Sequence, residues 1–289
     1  MNDFVNELRA VWAFSKREMV IWASYRVNIW TWIIDVFINT SIFFLISLLV
    51  GHHLMGAYGT NYVSFVVIGL SIYYISYTNL GDPFPRVARI YWNGTMDLYM
   101  LSPLSYFTPV IGIMFRSVID DYPRVGLAFL FGWFFFGASF TFRVPLYVIL
   151  GVVLIGLSTF GIGMISASSF YLLNFKRGTE PVSFILQDVV IALVGGYYYP
   201  VNVLPQYLQI LASFIPHTYA LDLFRRALLP GASLTQPVLL LQYVLNFSPI
   251  VVDTLALALL SAVLFPLGFY LYYLGIQKAR KEGTLTRWQ

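Results

Sequence analysis

The 289-residue chain is 59% hydrophobic and only 10% charged, with a mean hydropathy of +0.75, whereas soluble domains carry about a quarter charged residues. Its 17 basic and 13 acidic side chains cannot cover a soluble core of this size, so a soluble enzyme and a disordered chain are both excluded in favour of a membrane protein. The net charge of +4 is spread along the chain, which argues for cytoplasmic loops and no nucleic-acid partner, and the absence of cysteine excludes disulfides, thiolate metal sites and a cysteine nucleophile.

The first segment, residues 1–26, carries Asp3, Glu7 and Glu18 and lacks an uninterrupted apolar run before a small-residue site, so it does not read as a cleaved signal peptide. Within residues 3–22, Phe4, Leu8, Val11 and Trp12 recur at helical spacing among Glu7, Arg9, Lys16 and Arg17. This is the pattern of a helix lying in the membrane interface, either as an anchor for the first span or as a contact for a cytoplasmic partner. Six apolar stretches have the length of about 20 residues that crosses a bilayer: near 27–50, 61–80, 108–140, 146–173, 182–199 and 251–276. The third contains Arg116, Asp120, Asp121 and Arg124 and is interrupted by Pro123, so these charges are expected at the cytoplasmic headgroups. The expected fold is an all-α polytopic membrane protein, one transmembrane domain over residues 1–289 with six transmembrane helices.

Basic residues fix the expected orientation, since Lys and Arg are retained in cytoplasmic loops. With the N-terminus inside, Arg9, Lys16, Arg17, Arg26, Arg86, Arg89, Lys176, Arg177, Lys278, Arg280, Lys281 and Arg287 are cytoplasmic, and only Arg143, Arg225 and Arg226 lie outside. Both termini, including a tail at 277–289, are therefore placed in the cytoplasm. Asn93-Gly94-Thr95 matches a glycosylation acceptor but falls inside, and is read as accidental.

Two loops carry more pattern than a connector needs. In the first, residues 81–104, Pro83 and Pro85 are expected to break the second span. Val87, Ile90, Tyr91 and Leu98 then face one way while Arg86, Arg89 and Asp97 face another, and Gly94-Thr95 interrupts the pattern. This is a short amphipathic helix, resting on headgroups or docking a cytoplasmic protein. In the second, residues 200–231, two apolar stretches at 204–215 and 218–229 are too short to cross and are bounded by Pro200, Pro205, Pro216 and Pro230. They read as re-entrant helices entering the outer leaflet. Thr218 is placed to cap the second, with Asp222 early and Arg225 and Arg226 late as the helix dipole favours, and Asp222 four residues from Arg226 for pairing.

The second loop resembles the outer segment of the membrane subunits of ABC-2 type exporters, whose pattern is matched here by Tyr199, Pro200, Pro205, Pro216, Thr218, Tyr219, Ala220, Asp222 and Arg225. The first loop is similar to the same family through Gly94, Thr95, Asp97, Tyr99, Ser102 and Pro103, and the C-terminal KEGTL adds to the likeness. The chain departs from the pattern at Tyr91, Trp92 and Asn93, where the family often has an acidic-basic pair, and at Ile215, where it usually has Asn. The resemblance implies a permease subunit in the cell membrane that moves an amphipathic substrate (a drug-like molecule, lipid or lipid-linked glycan) out of the cytoplasm. It implies two partners: an ABC-type ATP-binding subunit, seated on a coupling helix within residues 83–100, and a second permease copy or a close paralogue, with a homodimer favoured. Arg86, Arg89, Gly94, Thr95 and Asp97 become the partner-coupling residues, and Pro200, Pro205, Pro216, Tyr219, Asp222 and Arg225 the outer-gate signature. The first, second and fifth spans would line the seam.

No lysine follows a G-x-x-x-x-G run, so the chain lacks a phosphate-binding loop; it is expected not to be an enzyme and to bind no cofactor, with ATP and Mg carried by the partner. Ionisable groups in a span are costly and face protein or a water-filled path. Asp35 and the Gln187-Asp188 pair are therefore candidates for the substrate pathway, with Tyr198 and Tyr199 beside them, although Asp35 can equally pair with a basic group or lie near the interface. His52 and His53 lack a third ligand, so no metal site is expected, and His217 reads as a loop residue at the headgroups. An ion-driven secondary transporter, which would show repeated halves with broken helices, and a membrane anchor for a cytoplasmic partner are the rival readings.

Overall fold

A computed structural model describes residues 2–48, 56–59, 61–173 and 185–285. Among them the regular elements are all helical: α1 (Asn2–Ser24), α2 (Arg26–Ser47), α3 (Tyr62–Gly81), α4 (Pro83–Trp92), α5 (Met96–Leu101), α6 (Thr108–Phe136) and α7 (Pro145–Leu172) come first. A π-helical stretch at Ile185–Ile191 leads into α8 (Ala192–Val194), followed by α9 (Gln206–Ala212), α10 (Pro216–Leu228), α11 (Leu240–Leu245) and α12 (Pro249–Lys281). Four helical stretches, Ile29–Ser47, Tyr62–Trp92, Pro145–Leu172 and Pro249–Lys281, are long and apolar enough to cross a membrane. His52, His53, Lys176, Arg177 and Arg287 lie outside the described residues, as do the side chains of Asp3, Phe4, Glu18, Arg26, Asp97, Gln187 and Asp188.

Glycines set how closely these helices approach. The backbones of α7 and α12 touch where Gly161 faces Gly268: a Cβ on Gly161 would lie 2.5 Å from the Leu264 carbonyl oxygen, and one on Gly268 would strike the Gly161 carbonyl. On the other side of α7, a Cβ on Gly163 would strike the Asn79 carbonyl of α3. Small residues allow this backbone contact where apolar bulk offers no preference between protein and lipid. Ser261 adds a crosslink, its hydroxyl donating to the Leu154 carbonyl at 2.8 Å.

The prolines do less breaking than their number suggests. Asp82 keeps helical angles between α3 and α4 (φ −72°, ψ −34°) and its N–H bonds the Thr78 carbonyl at 2.9 Å, so α4 continues α3 almost without interruption. Pro83 sits in the first turn of α4, where its missing donor is not needed, and the expected break of the span is not found. Likewise α6 runs through Pro123, which is exposed and leaves its lost bond on the outer side of the helix. What stops α4 is Gly94. It adopts the left-handed conformation (φ 66°), the Thr95 N–H bonds the Ile90 carbonyl at 3.2 Å and the Gly94 N–H bonds the Tyr91 carbonyl at 3.1 Å. This is a Schellman stop, with the Thr95 hydroxyl adding a second bond to Ile90 at 3.1 Å. The same pattern ends α12: Gly283 (φ 65°), Thr284 to Ala279 at 2.9 Å, Gly283 to Arg280 at 3.3 Å.

Helix α1 lies lengthwise against the first turns of α6. Glu7 accepts from the Ser105 N–H at 2.6 Å and from the Thr108 hydroxyl, and the Ser15 hydroxyl donates to the Gly112 carbonyl at 2.9 Å. Leu8, Trp12 and Val20 remain exposed on its far side. Replacing Gly268 with Leu is expected to lower thermal stability in mild detergent by about 3 kcal/mol or more through overpacking. Gly156→Ala, where a Cβ meets nothing within 4 Å, should leave the melting curve near that of the parent chain.

Candidate functional site

Helices α2, α3 and α6 and the strand of chain after α8 enclose a recess of about 700 Å³. Asp35, Asn39, Trp32 and Phe43 line it from α2, Tyr73, Tyr74 and Tyr77 from α3, Arg124 from α6, and Tyr198 from the segment beyond α8. Asn39 Nδ2 donates to Asp35 Oδ1 at 3.0 Å, while Tyr198 stacks on Phe43 with ring centroids 4.8 Å apart and its carbonyl accepts from the Tyr62 hydroxyl at 3.0 Å. Two of the pathway candidates, Asp35 and Tyr198, therefore share one cavity. Tyr199 turns away and donates to the Leu193 carbonyl.

Below the recess a ladder of charges joins α3, α4 and α6. Asp82 Oδ2 accepts from Arg116 Nη1 at 2.9 Å and from Arg86 Nη2 at 3.2 Å; Asp120 Oδ2 lies 3.4 Å from Arg116 and 3.8 Å from Arg124. Asp121 accepts from the Thr78 hydroxyl, and the Arg124 guanidinium lies 5.4 Å from the centre of the Trp32 ring. Arg116 and Asp121 are buried within the protein, each with its partner on α3 or its continuation. Among the coupling residues, Arg86 is tied to Asp82, Gly94 and Thr95 form the helix stop, and Arg89 is exposed. Val87 and Tyr91 are buried against α7, whereas Leu98, expected on the same face, is exposed.

At the opposite end a buried knot of charge organises the outer-gate signature. Pro205 caps α9, Pro216 opens α10 in its first turn, and the Tyr219 hydroxyl closes the corner between them by donating to the Ser213 carbonyl at 2.9 Å. Pro200 is buried at the start of the connection. From α10, Arg225 donates to the carbonyls of Gly196 and Tyr197 at 2.7 Å each, its guanidinium 3.5 Å from the centre of the Phe65 ring. Arg226 pairs with Asp222 at 2.9 Å, as the spacing suggested, and reaches the Ser233 carbonyl at 2.6 Å. Asp222 also accepts from the Tyr58 hydroxyl at 2.7 Å and from Gln242 Nε2 at 2.5 Å, and Gln242 donates at 2.7 Å to Asp253 on α12. All six of these polar side chains are buried. Arg226 pairs with a carboxylate while Arg225 is held by two backbone carbonyls and the Phe65 ring, and these contacts offset part of the cost of burying the two charges.

Two expectations at this end are corrected. Thr218 does not cap α10: it sits one turn inside, after Ile215 at the cap position and Pro216, and its hydroxyl has no partner among the described residues. His217 is not a loop residue but lies in the first turn of α10, fully buried and 5.9 Å from the Tyr197 ring. Burial pushes its imidazole down to about 3. Tyr58, Gln242 and Asp253 belong to the knot and were missed; Asp253, a carboxylate at the start of an apolar helix, was the one with a visible signal.

Removing one partner of the buried pair, as in Asp222→Ala, is expected to cost about 3–5 kcal/mol. Arg225→Lys should cost about 2 kcal/mol, since an ammonium cannot serve two carbonyls and stack on Phe65. Both are read by unfolding in mild detergent. His217 stays neutral when folded and protonates at about 6.5 when unfolded, so its contribution is intact above that pH. As pH falls from about 6.5 to about 3, it removes up to ~1.4 kcal/mol per unit. His217→Leu should flatten that part of the stability profile.

Neither protein-family models nor curated proteins yield a match to this chain.

Proposed function

We propose that the chain is the membrane-spanning subunit of an ATP-driven exporter of the ABC-2 type, a permease rather than an enzyme. In this reading α6 and the helical stretch at 185–194 cross alongside the four long apolar helices, giving six spans, and α9 and α10 are re-entrant outer helices. The N-terminus, α4 and the end of α12 face the cytoplasm of a cell-membrane protein. The observation that carries the reading is the knot: the residues that match the family's outer pattern, Pro216, Tyr219, Asp222 and Arg225, are those that lock α9 and α10 onto the ends of α3, α8 and α12. A motif with a physical task of this kind is stronger support than matched letters.

The other end supports a docking role. Helix α4 buries Val87 and Tyr91 and turns Arg89 outward, so a partner seated on it would push directly on α3, of which it is the continuation. The chain has no phosphate-binding loop, so ATP and Mg belong to a separate ABC-type subunit, and closure of two such subunits would rock two permease copies between inward- and outward-open states. A homodimer places two recesses across one seam. The substrate is amphipathic, suited to a path of tyrosine and phenylalanine with a few polar groups.

The reading predicts that the tagged chain, purified in mild detergent from its native membrane, brings with it a soluble ATP-binding subunit and ATPase activity. Arg89→Glu should lose that subunit while keeping the parent's yield and melting temperature. A parent chain that purifies alone and inert contradicts the proposal.

A further inference from the structure

The charge balance of the recess points to the class of molecule it takes. Asp35 faces the cavity from an apolar helix, and its side chain is bonded only to the neutral amide of Asn39 at 3.0 Å; it has no ion-pair partner among the described residues. Arg124, which also lines the recess, lies 3.8 Å from Asp120 and over the Trp32 ring, and makes no ion pair with Asp35. Within the ladder, Arg86, Arg116 and Arg124 are shared between Asp82 and Asp120, Asp121 accepts from the Thr78 hydroxyl, and none of the three arginines pairs with Asp35. Asp35 is exposed on the recess wall, so a cation that enters the recess meets a carboxylate with no ion-pair partner among the described residues.

The rest of the wall suits a particular kind of positive charge. Tyr73, Tyr74, Tyr77, Tyr198 and Phe43 line the same recess with ring surface, from each of which a bulky, weakly hydrated organic cation gains. We infer that the recess binds an amphipathic organic cation, its charged centre held against Asp35 and its apolar substituents among the rings. An anionic amphiphile would meet the spare carboxylate, and a neutral glycan would leave it uncompensated. The inference rests on the proposed function only in taking this recess as the substrate path.

The test uses the full chain in phosphatidylcholine nanodiscs and three probes of similar size: tetraphenylphosphonium, the neutral triphenylphosphine oxide and the anion tetraphenylborate. Binding is read by equilibrium dialysis against protein-free nanodiscs. The phosphonium should bind saturably and at least about tenfold tighter than either of the others, a preference of ~1.4 kcal/mol. Asp35→Asn should erase that preference without changing the melting temperature, and Asp35→Glu should retain it. Equal binding of the three probes by the parent chain, or a cation preference that survives Asp35→Asn, overturns the inference. A cation preference in a chain that brings down no ATPase subunit keeps the site and discards the exporter; an active ATPase complex with no cation preference does the reverse.

Discussion

Two guanidinium groups carried entirely inside the protein, those of Arg225 and Arg226, are the interaction on which the rest of the structure depends. Burial of a guanidinium is tolerable only when its N–H groups find acceptors, and those of this pair reach beyond α10 to the chain after α8, to Ser233 and to α11. Arg225 holds the carbonyls that follow α8, Arg226 holds Asp222 and the Ser233 carbonyl, and through Gln242 the network extends to Asp253 on α12. The short helices α9 and α10, which have too little apolar length to be stable across a bilayer alone, are fixed in this way to long ones. The same linkage helps fix one wall of the recess, because Tyr198 follows immediately on the carbonyls that Arg225 holds.

The opposite end is built on a different principle. There the charges of Asp82, Arg86, Arg116, Asp120 and Arg124 form a chain of pairs between neighbouring helices, so displacement of α4 is felt by α6 as well as by α3. Between the two ends the packing is glycine-mediated, with α7 in backbone contact with α3 on one side and α12 on the other. Close backbone contact along α7 contrasts with the polar, partly open wall at α2. In the proposed exporter, that wall is the side that meets the second copy.

Much of the helical fold was legible because apolar runs of the right length leave few alternatives: four long helices fall within a few residues of their expected positions. The Asp222–Arg226 pair was legible from its spacing of four. What was not legible depended on long-range contact. Whether Pro83 ends a helix depends on whether the residue before it can keep helical angles, and Asp82 does so while paired to Arg116 on a distant helix. Whether His217 meets headgroups or a core depends on what covers α10, which is α7, α12 and the Tyr197 ring. Gln242 has no local pattern at all; it matters only because Asp222 and Asp253 converge on it.

The account places α4 and the knot on opposite sides of the membrane, and everything said of coupling and substrate path follows from that. Because the chain has no cysteine, single cysteines can be introduced at Asn93 and Thr235 without a silent background. A membrane-impermeant maleimide applied to intact cells should label Thr235→Cys directly and Asn93→Cys only after the membrane is opened. Labelling of both from the same side would contradict the six-span arrangement, and with it the division into a cytoplasmic docking end and an outer cap.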